Sequence, residues 1–241
     1  MLWLKYWLET RLRLLFAIFL FVFVTSTGYV AIKKAPRRPP NPIPAEERLA
    51  GTLNIYGLFW IMPAVMLAAA GVKTQSPFQA VKGLHGSMHF TLSLPVSRRR
   101  LFSTRVAIGL LEVAVVVVVG CYGQWTLLPL TFPELSFFPG DILRHAFTVI
   151  AGMTFFFFLS VLLATFLDDV WQMFGSLILL GLLAWLSIVA AIPAYFSIFR
   201  SIGGASPLVT HQIPWGAIAL SLGLAAILCL AALKVLLRRD F

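Results

Sequence analysis

The sequence predicts an all-α integral membrane protein with six transmembrane helices. An N-terminal interfacial helix precedes the first span, and a short cytoplasmic helix joins spans two and three. Two observations carry this reading. The 241 residues are 60% hydrophobic and 12% charged, whereas soluble domains are roughly 45–50% apolar and ~25% charged. The apolar residues also gather into runs with few or no charges, close to the ~20 residues a crossing helix needs. The ~10-residue alternating segments of a membrane barrel do not occur.

The same composition excludes several classes. Cys121 and Cys229 cannot build a disulfide framework, and both sit in apolar runs, which reads as buried free thiols. Nine Asp/Glu and four His leave little material for carboxylate or metal chemistry. The net charge of +10 belongs, in so apolar a chain, to ends that face anionic lipid. The whole chain, 1–241, reads as one transmembrane domain.

Residues 2–13 form the interfacial helix. Lys5, Glu9 and Arg13 recur every four residues on one face, and Trp3, Leu4, Trp7 and Leu8 cover the other. Aromatic and basic residues so arranged suit the headgroup layer. The spans follow at about 14–32, 52–71, 106–128, 146–167, 172–192 and 214–234. Six spans place both termini on one side. With the N-terminus cytoplasmic, inside segments carry 12 Lys/Arg and outside loops 7, which agrees with the positive-inside rule. The first loop works against it, with five basic residues and five prolines between Lys33 and Arg48.

The cytoplasmic segment 73–105 is the most informative. Ser76, Pro77 and Gln79 read as a helix start: a cap, a proline at the tolerated first position and the far half of a capping box. Phe78, Val81, His85, Met88 and Leu92 then form one stripe, with Gln79, Lys82, Gly86 and His89 away from it. Gly83 and Gly86 permit close approach of another surface. Pro95 ends the helix, Ser97 caps the third span, and Arg98, Arg99, Arg100 and Arg105 anchor it at headgroup level. This helix either rests on lipid or docks a cytoplasmic partner. His85 and His89 have a spacing that can meet one metal, but zinc needs three or four ligands. No Cys or acid nearby supplies them, so no metal site is expected.

Glu112 is the one carboxylate well inside a span, expected near the cytoplasmic leaflet two turns past Arg105. Intramembrane acids are functional candidates; the competing role is a structural pair with a basic or hydroxyl group. Asp168 and Asp169 read as solvated turn residues. Ala217, Ser221, Ala225 and Cys229 form a small-residue stripe suited to helix packing. The aromatic block Phe155–Phe158 reads as packing. The stretch 193–214, rich in Gly, Pro and apolar residues, is expected to dip back into the outer leaflet as short helices.

Three stretches together resemble a known family. They are WLKYWLETRLRLLF at 3–16, FTLSLPVSRRRLFSTRVAIGLLE at 90–112 and ALKVLLRRDF at the C-terminus. The chain is similar along its length to the type-2 permease subunits of ATP-binding-cassette transporters, with the basic, proline-rich first loop as a departure. The resemblance implies the membrane-spanning subunit of an ATP-driven exporter in a bacterial plasma (inner) membrane. It would act as a homo- or heterodimer of permease chains with separate ATPase subunits. The helix from Ser76 would be the coupling helix, with Phe78, Gln79, Lys82, Gly83, His85, Gly86 and His89 against the ATPase. ATP and Mg would be bound by that partner; this chain has no Gly-x-x-x-x-Gly-Lys-Ser/Thr loop and no cofactor of its own is expected. Two other readings stay open: a membrane-embedded enzyme for lipid-like substrates, drawing on scattered polar residues (Glu112, His145, Asp168, Asp169, His211), and a non-transporting scaffold subunit.

Overall fold

The computed structural model describes residues 2–34, 44–69, 97–167, 169–193, 196–203 and 206–238. Among them every regular element is a helix. In chain order these are α1 (Leu2–Lys34), α2 (Ala45–Ala69), α3 (Arg98–Thr131), α4 (Pro139–Ala164), α5 (Asp169–Val189), α6 (Ile198–Ile202), α7 (Pro207–Thr210) and α8 (Trp215–Arg238). Four of them, α2, α3, α4 and α8, are long and apolar enough to cross a membrane. The chain thus has the character of a multi-pass membrane protein.

The helices outrun the expected spans in ways local chemistry explains. Residues 2–13 and 14–32 are a single 33-residue helix, with no break at Arg13–Leu14. At 1.5 Å per residue it is about 50 Å long, well beyond a ~30 Å hydrocarbon core. Helix α2 starts at Ala45, seven residues early, with Glu46 and Glu47 in its first turn, where acids favour the helix dipole. Helix α3 begins at Arg98 because Ser97 caps it, its side chain accepting from the Arg100 N–H at 3.3 Å. The run Arg98–Arg105 is therefore the first two turns of the spanning helix. Pro139 opens α4 at a first-turn position. In α5 the apolar part is shorter, Trp171–Ser187.

Helix α4 is the hub, packed against α2, α3, α5, α8 and both short helices. Phe155, Phe156, Phe157 and Phe158 are all buried. Four successive positions point to every side of a helix, so α4 is enclosed all round at that level. Ala217, Ser221 and Ala225 lie on the buried face of α8, whose main neighbour is α4; Cys229 is half-buried at the edge. Cys121 is a buried free thiol in α3.

The bundle has two ends. The end holding the starts of α2 and α4 (the Arg48 end) is closed by a cluster of Leu49, Leu53, Leu128, Phe132 and Leu208. Arg48 pairs with Glu134 there and lies 5.7 Å from the Phe132 ring. The other, the Arg98 end, holds the starts of α1, α3 and α5. Between α5 and α8 the chain turns inward, as expected for a stretch that dips back. Ile198, Ser201, Ile202, Ser206, Pro207 and Leu208 are all buried. Two glycines make room: a methyl group at Gly152 would lie 2.8 Å from Ile198 Cγ1, and one at Gly203 2.6 Å from Asn54 Oδ1.

Candidate functional site

The buried face of α3 repeats every three or four residues: Leu101, Arg105, Ile108, Glu112, Val116. Arg105 and Glu112, seven residues apart, therefore share a face. Helix α1 is the main neighbour of α3, and it contributes Tyr6, Thr10, Leu14 and Ala17, again one face, all buried. Thr10 donates its hydroxyl to Glu112 Oε1, and the Thr10 Oγ1 lies 2.9 Å from the Tyr6 carbonyl oxygen. The Arg105 guanidinium carbon stands 5.7 Å from the centre of the Tyr6 ring, within reach of a cation–π contact. Glu112 is 1% exposed, with the positive charges of Arg105 and Arg13 acting on it.

This is the geometry by which an acid is retained in a span: desolvated, but given a donor and facing cations. It ties the start of α1 to the start of α3. The carboxylate lies fourteen residues past the first residue of the 34-residue helix, two turns beyond Arg105.

Arg105, expected at headgroup level, is 8% exposed and lies under the Tyr6 ring. Arg99 and Arg100 remain exposed and Arg98 half-buried, as helix-end residues able to reach headgroups. Tyr6 and Thr10 were not singled out by the sequence. The charge spacing of Lys5, Glu9 and Arg13 drew attention to a neighbouring face, although Tyr6, Thr10 and Leu14 follow the same four-residue period. The residues expected to face an ATPase, Phe78, Gln79, Lys82, Gly83, His85, Gly86 and His89, lie outside the described residues, as do the first loop at 35–43 and Asp168.

Among the described residues the remaining polar candidates are not gathered into one centre. Glu112 serves the α1–α3 contact. His211 is brought to Asp141, Nδ1 to Oδ2 at 2.7 Å, and Asp141 Oδ1 accepts from Arg144 at 2.9 Å. His145 lies one turn further along α4, fully buried, with no hydrogen-bond partner among the described residues for either ring nitrogen. Gln124 in α3 is in the same condition. Between α4 and α5, Gln172 donates to Ser160, whose oxygen is 2.9 Å from that of Ser176; all three are fully buried.

Comparison of the chain with protein families, with curated proteins and with solved structures finds no match.

Proposed function

We propose that this chain is the membrane-spanning subunit of an ATP-driven ABC-type exporter. It forms the substrate path as a dimer of permease chains and takes its energy from a separate ATPase that binds ATP and Mg. The observation that carries the reading is the Thr10–Glu112 clasp with Arg105 under Tyr6. The clasp joins two of the three stretches in which the family resemblance resides, 3–16 and 90–112. In a permease this contact has a use. A push on the segment before Ser97 enters α3 directly, and α3 is fastened to α1, so the two helices move as one body. ATPase closure against Phe78–His89 would then shift an inward/outward equilibrium through a rigid pair of helices.

On this reading α1 and α5 also cross the bilayer, giving six spans, and both termini are cytoplasmic in a bacterial plasma membrane. The Arg98 end of the bundle is then the cytoplasmic end. The test is purification of tagged protein from its native membrane in mild detergent, followed by mass spectrometry. A stoichiometric partner with a phosphate-binding loop supports the proposal, and a photoreactive group at Lys82 should cross-link to it. Recovery of the chain alone, from a preparation in which other membrane complexes survive, would overturn it in favour of the enzyme or scaffold reading.

A further inference from the structure

Arg200 occupies an unusual place. It is the charged residue of α6, the short helix of the inward-turning segment. At 100° per residue, Ile198, Ser201 and Ile202 form the buried face of that helix, and Arg200 points the opposite way, exposed. The depth of α6 follows from its glycine contacts. Its Ile198 meets Gly152 of α4, and the Ile202–Gly203 backbone meets Gly57 of α2 at 3.4–3.5 Å from a Cβ position. Gly57 is nine residues past Arg48, and Gly152 eight past Arg144. At 1.5 Å per residue, α6 sits about 12–14 Å below the charged ring at the Arg48 end, deep in a ~30 Å hydrocarbon core.

A guanidinium at that depth needs a partner. Among the described residues the Arg200 side chain has one hydrogen bond, Nη1 to the Ile192 carbonyl at 3.4 Å. That carbonyl comes from the turn ending α5, where Ala191 adopts a left-handed φ of 48°. An arginine has five donors in a fork that matches carboxylate or phosphate. Among the described residues no carboxylate answers them. Glu46, Glu47, Glu134 and Asp141 stand at the charged ring above. Glu112 is buried against α1. Glu9 lies near the start of α1 and Asp169 opens α5, both at the Arg98 end. A second, symmetric copy would present the same acids at the same depths. With no described acid at its depth, the fork is open to an anion from outside the protein. The surroundings are apolar: Val189 and Phe196 are exposed to either side of Ile192.

We propose that Arg200 is the recognition group of a binding site for an anionic amphiphile, a carboxylate or phosphate carried on a hydrophobic body, approaching from within the bilayer. The site deepens the transport reading by naming a substrate class, but binding to it requires no ATPase.

The full-length chain is reconstituted in phosphatidylcholine vesicles and labelled with a photoreactive long-chain fatty acid, or with the matching fatty alcohol. Labelled positions are read by mass spectrometry. The acid is expected to label the 193–203 segment about tenfold more than the alcohol, the preference one charge-assisted hydrogen bond supplies. Arg200→Gln is expected to abolish that preference while leaving alcohol labelling in place, which shows the segment is still folded. Arg200→Lys is expected to keep part of it. Adding phosphatidylglycerol separates the two sources of the anion: displacement of the acid identifies a lipid headgroup as occupant, and no displacement identifies a free amphiphile. Equal labelling of the wild type by acid and alcohol, no labelling of the segment, or an undiminished acid preference in Arg200→Gln would each overturn the proposal. Failure to recover an ATPase partner would leave these outcomes unaffected.

Discussion

The hydroxyl of Thr10 is bonded to the carboxylate of Glu112 across 102 residues of chain, with both residues buried. Removing the donor alone leaves a desolvated carboxylate oxygen without its partner. A hydrogen bond to a charged group is worth about 1.5–3 kcal/mol in soluble proteins; side-chain bonds between membrane helices average nearer ~0.6, with a maximum near ~1.7. Thr10→Val should therefore destabilise the bundle by about 1–2 kcal/mol in denaturant titration in detergent. Glu112→Gln keeps an acceptor and should cost less. The double variant Thr10→Val/Glu112→Leu should cost less than the sum of the single truncations. Strict additivity would mean that the two residues do not couple.

A second polar contact obeys the same asymmetry. Gln172 donates to Ser160, and Ser160 faces Ser176, all fully buried between α4 and α5. Ser160→Ala takes the acceptor from Gln172 and the partner from Ser176, so it should lower stability by about 1 kcal/mol. Replacing the trio together by Ala, Leu and Ala removes every unsatisfied group and should be closer to neutral. Unfolding curves of the two variants decide this. A triple replacement more damaging than Ser160→Ala would show that the contact adds stability beyond satisfying its own members.

These cases mark what the sequence disclosed and what it hid. Apolar runs of span length became helices because length and hydropathy are local properties. The cap at Ser97, the packing stripe of Ala217, Ser221 and Ala225, and the inward turn before α8 were legible for the same reason. Glu112 was conspicuous as a lone acid in a span, but its partner lies 102 residues away and carries no charge. Arg105 looked like a headgroup residue because it follows three arginines; its burial depends on Tyr6 of another helix. Gln124 and His145, buried without partners among the described residues, sit at positions whose neighbours belong to different helices, which no local pattern reveals.

The inward-turning segment depends on missing side chains, and glycine substitutions test it. A Cβ at Gly203 would lie 2.6 Å from Asn54 Oδ1 and 3.2 Å from the Phe199 carbonyl. The Asn54 amide can swing aside, but the Phe199 carbonyl and the Asn54 Cα at 3.3 Å are backbone and must give by a few tenths of an ångström, so Gly203→Ala should cost about 1–3 kcal/mol. At Gly181 in α5 the same Cβ meets nothing within 4 Å. Gly181→Ala should be neutral or slightly stabilising, since alanine is the better helix former by up to ~1 kcal/mol. Similar effects at both positions in thermal unfolding would argue against the close packing of α2 on Gly203.

The lead into α8 is held at one point on α4. Asp141 bonds His211 and Arg144 together, and Arg144 also donates to the His211 carbonyl at 3.0 Å. His211 takes a left-handed backbone, φ 56°, just past α7, a conformation that costs a non-glycine residue about 1–2 kcal/mol. The contact must hold the chain there against that strain. Asp141 is buried, but the side chains of Arg144 and His211 are 46% and 58% exposed, so solvent screening limits the pair to about 1 kcal/mol or less. Asp141→Asn keeps one oxygen for Arg144 and turns its amide NH2 toward the His211 ring nitrogen, so it should barely change global stability. Asp141→Leu removes both acceptors, and amide exchange of residues 206–214 should then speed up several-fold while α3 and α4 keep their protection. His211→Gly acts in the opposite sense on the backbone: it relieves the strain while losing the Asp141 contact, so exchange there should rise less than in Asp141→Leu. Equal exchange in the wild type and Asp141→Leu would show that the inward packing of Leu208, and not the Asp141 contact, holds the segment in place.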